Sequence, residues 1–258
     1  MDRTLYLNES DRVKLVVDGP SLWVTPKGKA GRRIPARLIG RVVIFGNVRV
    51  GIDMIVLFAA RGIPVSFYSR KGEPLATALP RMPVPGVNAD RLRDAMETAG
   101  GMERLADWMK SRRTAFMLEW LREAGHPMAA AIESSGLDEA SYERAAARRF
   151  GDAARYAETA GLLRGMVEET ALNVIVKAGL DAHIGIRQNG RDFGLCADFG
   201  WMMRGEIDRM ACVIAGEGAS GRKLLIAAAR VFEAGRREIR TRLRALTGEM
   251  LNVARNAA

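Results

Sequence analysis

The sequence predicts an α+β protein with a small β-rich N-terminal domain and a larger all-α C-terminal domain, and three observations carry that prediction. Short segments rich in β-branched and aromatic residues crowd the first 70 positions, a proline-rich stretch follows, and from residue 90 onward apolar residues recur every three or four positions. With 258 residues, 48% of them hydrophobic, the chain has enough apolar material for one large core or two modest ones.

The strand candidates are Thr4 to Leu7, Val13 to Val17, Ser21 to Thr25 and Arg41 to Phe45, separated by Gly, Pro or Asn. Asp18-Gly19-Pro20 is a turn signal between two of them. After Gly46-Asn47 the pattern fits one amphipathic helix over 51–60, and Ile63 to Tyr68 returns as a strand. Pro80, Pro83 and Pro85, with Gly86, continue neither a helix nor a central strand. Residues 80–89 are therefore read as a linker between domains over 1–79 and 90–258. In the second domain the apolar spacing predicts helices over 96–109, 114–124, 138–157, 162–178, 205–215 and 222–246. Gly179 stands as a C-cap, and Asp138 marks a helix start.

A net charge of +10 favours a polyanionic partner, with nucleic acid first among them. Residues 1–85 carry 14 basic and 6 acidic side chains, residues 222–258 carry 9 and 3, and the middle carries 17 and 21. That arrangement suits a cation held near a bound phosphodiester, and it equally suits ordinary helical surface. The polar, charged first ten residues lack the apolar stretch of a secretory signal, so the expected location is the cytoplasm. Apolar runs such as Met54 to Ala60 fall well short of the roughly 20 residues that cross a bilayer, so no membrane partner is expected. Cys196 and Cys212 have no metal-ligand spacing and read as buried thiols.

Specific strings narrow the function. Ile34-Pro-Ala-Arg-Leu-Ile-Gly-Arg-Val-Val-Ile-Phe-Gly-Asn47, followed by Leu57-Phe-Ala-Ala-Arg-Gly-Ile-Pro-Val-Ser-Phe-Tyr-Ser-Arg-Lys-Gly72, resembles the strand, helix, strand core of the CRISPR-associated integrase family. Further on, Tyr142-Glu-Arg-Ala-Ala-Ala-Arg-Arg-Phe150 resembles that family's glutamate-bearing helix, and Ala178-Gly-Leu-Asp-Ala-His-Ile-Gly-Ile186 the segment before its histidine. Leu195-Cys-Ala-Asp198 resembles its aspartate motif. The resemblance runs from Leu5 to the final helix. It implies a DNA endonuclease and integrase of spacer acquisition, using Mg²⁺ or Mn²⁺. It also implies a homodimer formed through the N-terminal domain and pairing with a small ferredoxin-like CRISPR adaptation subunit.

DNA strand transfer suits a hard cation on oxygen ligands, which neutralises charge on the phosphoryl oxygens. The resemblance places Glu143 and Asp198 at catalytic and metal positions and Gln188 where the family has a metal-binding histidine. Trp201 stands where it has a further acid. An amide oxygen is a weak ligand that shuttles no proton as imidazole does, and an indole offers a metal no donor. An Asn-Ala-Leu-Leu-Asn-Tyr-Gly-Tyr-like string of the family is missing between Phe150 and Leu162, so one wall of the site is expected to be absent. His183 is a rescue candidate for the imidazole, and otherwise a loop histidine. His126 reads as a helix-terminus residue, and Glu206 and Asp208 as structural charges.

Arg144, Arg148 and Arg149 beside Glu143, with Arg187 and Arg191 beside Gln188, are the candidate DNA-binding residues, with helix-surface solvation as the alternative. Arg236, Arg237, Arg240, Arg242 and Arg244 on the last helix suit phosphate-backbone contact better than base stacking. Two readings follow: a DNA-binding or architectural subunit with impaired metal-dependent cleavage and integration, and an active enzyme with an altered ligand set.

Overall fold

A computed structural model describes residues 3–70, 72, 74–79, 85–188, 190, 192–215, 217–218 and 222–256. The chain divides into two compact units, Met1–Met82 and Pro83–Ala258. Pro80 to Val84, the first half of the expected linker, lie outside the described residues.

The first unit comprises β1 (Arg3–Asn8), β2 (Lys14–Asp18), β3 (Ser21–Thr25), β4 (Arg32–Pro35), β5 (Ile39–Phe45), α1 (Ile52–Ala59), β6 (Val65–Tyr68) and β7 (Pro74–Ala78). Its strands form two sheets, ordered β1-β5-β6-β7 and β2-β3-β4 among the described residues. In the first sheet β5 runs parallel to both β1 and β6, and β7 closes the edge antiparallel to β6. The near-continuous burial of β5 follows from that position, because a central parallel strand is covered on both faces. β2 alternates between exposed and half-buried residues, as a strand of a one-sided antiparallel meander should.

Leu5 and Leu7 of β1, Leu22 of β3, Val42 and Ile44 of β5 and Phe58 of α1 belong to one apolar cluster shared by both sheets and the helix. Arg41 of β5 is a buried charge in this unit, only 2% exposed. Its guanidinium donates to Thr4 Oγ1 at 3.0 Å and to the Tyr6 hydroxyl at 3.1 Å, both on the adjacent β1, which offsets the cost of burying the charge. β4 and β7 are absent from the sequence-based prediction. β4 is four residues long and begins with two arginines, and β7 has the alanine-rich composition Pro-Leu-Ala-Thr-Ala.

The second unit is helical: α2 (Val87–Glu97), α3 (Gly101–Glu123), α4 (Met128–Ser135), α5 (Glu139–Phe150), α6 (Ala153–Lys177), α7 (Gly194–Met202), α8 (Arg204–Ala215) and α9 (Arg222–Arg255). The helix predicted over 138–157 is two helices. Gly151 adopts φ +87° as the C-cap of α5, and the Asp152 carboxylate caps α6 by accepting from the Arg155 amide. Conversely, the two helices predicted over 96–109 and 114–124 are the single helix α3. The charged gap between them contains Arg113, which is buried and paired with Glu139. The stretch between Phe150 and Leu162, where the family string is absent, is helical from Ala153 onward as the start of α6, with Tyr156, Thr159 and Ala160 buried.

α8 meets α3 at backbone contact. A Cβ placed on Gly205 would lie 2.1 Å from the carbonyl oxygen of Phe116, a clash that rigid backbone on both sides does not relieve. Gly205→Ala is therefore expected to lower stability by on the order of 3 kcal/mol, well beyond the helix-propensity gain of alanine, as read from urea unfolding.

Candidate functional site

The segment from Ala178 to Phe193, between α6 and α7, is irregular yet heavily tethered. Gly179 ends α6 at φ +71°, a conformation open to glycine, and its carbonyl accepts from the Gly86 amide at 2.9 Å. Asn88 donates to the Ala178 carbonyl at 2.8 Å, and Arg93 pairs with Asp181 at 2.8 Å. At the far end, a Cβ on Gly194 would lie 2.7 Å from the Cα of Gly185, so the loop crosses the start of α7 at a distance that only glycine permits.

Asp198, one turn into α7, is fully buried. Its Oδ2 accepts from the amides of Ile186 at 2.7 Å and Arg187 at 3.2 Å. Burial pushes the carboxyl above the ordinary aspartate range, and the amides of Ile186, Arg187 and Gln188 and the nearby Arg187 charge pull it back. The carboxylate thus holds the loop. Gln188 is half-buried beside it, and Arg191 lies outside the described residues.

Trp201, one turn after Asp198, lies under two guanidinium groups: Cζ of Arg187 is 3.9 Å and Cζ of Arg113 is 4.3 Å from the ring. Arg113 is almost fully buried, whereas Arg187 is exposed. His183 lies exposed on the same loop. Its Nδ1 accepts from the Phe193 amide at 3.4 Å and its ring lies 4.5 Å from the Phe193 ring, so the imidazole braces the loop. Phe193 itself has φ +55°, an unusual value for a non-glycine residue, at the start of α7.

A second cluster lies around Asp208 on α8. Its carboxylate accepts from the hydroxyls of Tyr142 at 2.7 Å and Tyr156 at 2.6 Å and from Arg204 Nε at 2.9 Å, and Arg204 also donates to the Tyr156 hydroxyl at 2.8 Å. Burial pushes the Asp208 carboxyl up, opposed by Arg204 and by both phenols. The same burial, together with the Asp208 charge, pushes both phenols up. Burial works against the Arg204 charge, but Asp208 and Tyr156 outweigh it and hold the guanidinium protonated. Glu143 faces this cluster from α5 with its carboxylate 3.9 Å from Arg204, and its side chain is 60% exposed. On the same helix Arg144 donates to Ser141, while Arg148 and Arg149 are exposed in the last turn. Glu206 lies elsewhere on α8, paired with Arg242 of α9 at 2.8 Å and with Arg209 at 3.4 Å.

Sequence reasoning missed Arg204, Arg113, Tyr142 and Tyr156 as site components. The Arg204–Asp208 pair has the i,i+4 spacing of a helical ion pair and was in principle visible; Arg113 and the tyrosines join only through tertiary packing. Donor chemistry argues against a divalent cation here. Asp198 gives Oδ2 to backbone amides and keeps a buried Oδ1 without a hydrogen-bond partner, Glu143 faces a guanidinium, and an indole and an amide stand at the other two positions. Among the described residues no group of three or more His, Cys, Asp or Glu is arranged to hold a metal ion. Among the same residues, no helix is long and apolar enough to cross a membrane.

These features sit on a fold shared with DNA-integrating proteins. A sequence model of the family described as CRISPR associated protein Cas1 matches residues 5–151. The chain belongs to that family. A Cas1 protein from Thermotoga maritima superposes with a TM-score of 0.79 at 14% identity, over 98% of this chain and 97% of that one. A casposase bound to integration product gives 0.74 at 14% identity, over 98% and 91%. The complex described as Cas6-RT-Cas1–Cas2 gives 0.68 at 12% identity, over 98% of this chain and 35% of that one. No curated protein matches the sequence.

Asp208→Ala is expected to lower stability by about 3–5 kcal/mol in urea unfolding, because it leaves the Arg204 charge buried without its partner. Tyr142→Phe, which removes one of several donors to the same carboxylate, is expected to cost about 1 kcal/mol.

Proposed function

We propose that this chain is a DNA-binding member of the CRISPR spacer-acquisition machinery in which metal-dependent cleavage and integration are impaired. The observation that carries this reading is the donor set: among the described residues no three or more His, Cys, Asp or Glu are grouped to hold a metal ion, and Asp198 uses one carboxylate oxygen to hold its own loop, leaving Oδ1 alone for any other partner. Trp201 and Gln188 act in the same direction, since neither brings the negative charge that draws a divalent cation. Glu143, exposed and only loosely paired, is the one acid of the set that stays accessible.

The excess of Lys and Arg supports DNA as the partner. Arg144, Arg148, Arg149 and Arg187 form the proposed phosphate-contacting set, and Arg191 joins them by its position in the sequence. Homodimerisation through the unit over 1–79 and pairing with a small ferredoxin-like adaptation subunit complete the reading. Solved relatives described as a Cas1–DNA complex and as part of a Cas6-RT-Cas1–Cas2 complex support DNA and a further Cas protein as the kinds of partner.

Incubating the protein with a short labelled duplex, a supercoiled plasmid and Mn²⁺ tests the proposal. Salt-sensitive binding with the plasmid left intact is the expected result. Nicking or joining that disappears in both Glu143→Ala and Asp198→Ala would instead establish an active enzyme with an altered ligand set.

A further inference from the structure

We propose that Arg187, seated on the Trp201 ring and held there by Asp198, is a fixed cation that contacts a DNA phosphodiester without a divalent metal. The inference rests on the DNA-binding reading above and gives that site its chemistry.

The geometry has three parts. First, the Arg187 amide and that of Ile186 are hydrogen-bonded to the buried Asp198 carboxylate, which fixes the backbone from which the side chain departs. Second, the guanidinium lies 3.9 Å from the Trp201 ring, and a stacked guanidinium keeps its N–H edges in the ring-parallel plane, available to two phosphate oxygens at once. Third, the residue is exposed, while Trp201 is supported by the buried Arg113, so the platform is rigid and the charge it carries is accessible.

The charge balance favours an anion for the same reason that it disfavours a metal. An indole where a carboxylate is implied removes a repulsion that a phosphate would otherwise feel. The function of Asp198 in this arrangement is to accept hydrogen bonds, which an asparagine side-chain oxygen does equally well. A metal ligand would behave in the opposite way, because replacing carboxylate by amide removes the charge that binds the ion.

The test is fluorescence anisotropy of a labelled short duplex with the full chain, in EDTA and again in Mn²⁺, across a salt series. Wild-type affinity is expected to agree within about twofold between the two conditions. Arg187→Ala should weaken binding about tenfold and lower the salt slope by about one, with Arg187→Lys in between because it keeps the charge but loses the flat stack. Asp198→Asn should stay within about twofold of wild type, and Asp198→Ala, its fold checked by circular dichroism, should lose affinity as Arg187→Ala does. Binding that requires Mn²⁺ and is lost in Asp198→Asn would make Asp198 a metal ligand and overturn this inference while leaving the DNA-binding reading intact. An unchanged affinity in Arg187→Ala would also overturn it. A wild-type chain that binds no duplex in either condition would instead remove the DNA-binding reading beneath it.

Discussion

The buried ion pair between Arg204 and Asp208 sets the frame for the helical unit. Two opposite charges placed together in a low-dielectric interior persist only if their remaining donors and acceptors are satisfied, and here the solution recruits three helices. Asp208 and Arg204 belong to α8, Tyr142 to α5 and Tyr156 to α6, and the two phenols take up the lone pairs that the guanidinium leaves open. The position of α5, and with it that of Glu143, is therefore fixed by hydrogen bonds that have nothing to do with any ligand. Close backbone contact between α8 and α3 at Gly205 adds a steric constraint to this polar one.

Around that frame, charged residues serve two different ends. Glu119, Glu206 and Arg242 join α3, α8 and α9 through charge-assisted hydrogen bonds, and Arg242 holds the Glu119 carboxyl below its ordinary range. Near Trp201 two guanidinium groups flank one ring, and the buried Asp198 carboxylate accepts two amides through Oδ2. Many of the arginines are paired with acids inside the bundle, so overall charge alone pointed to a polyanion without locating its site.

The strand, helix, strand core of β5, α1 and β6 was legible because its residues obey both local rules at once: β-branched residues where strands are buried on two faces, and an amphipathic period between them. β4 escaped because Arg32 and Arg33 look like loop residues, and their place beside Trp23 and Val24 is decided by pairing rather than propensity. α7 escaped for the opposite reason. Nearly all of Gly194 to Met202 is buried, so no polar face gives it a helical period. The break at Gly151 was visible as a glycine but not as a left-handed one. At the site, the identities of Glu143, Gln188, Asp198 and Trp201 could be read and their departures from the family noted. What could not be read was the commitment of Asp198, since its partners are main-chain amides 11 and 12 residues away and carry no residue-type signal.

A carboxylate bound to its own loop also changes what divergence in this family can erase. Wherever an aspartate serves both a chemical step and the shape of the chain, relaxing selection on the chemistry leaves selection on the shape in force. Asp198 has that second duty here, because the amides of Ile186 and Arg187 close on it. An aspartate at this position is thus a statement about the path of the loop before it is one about any reaction.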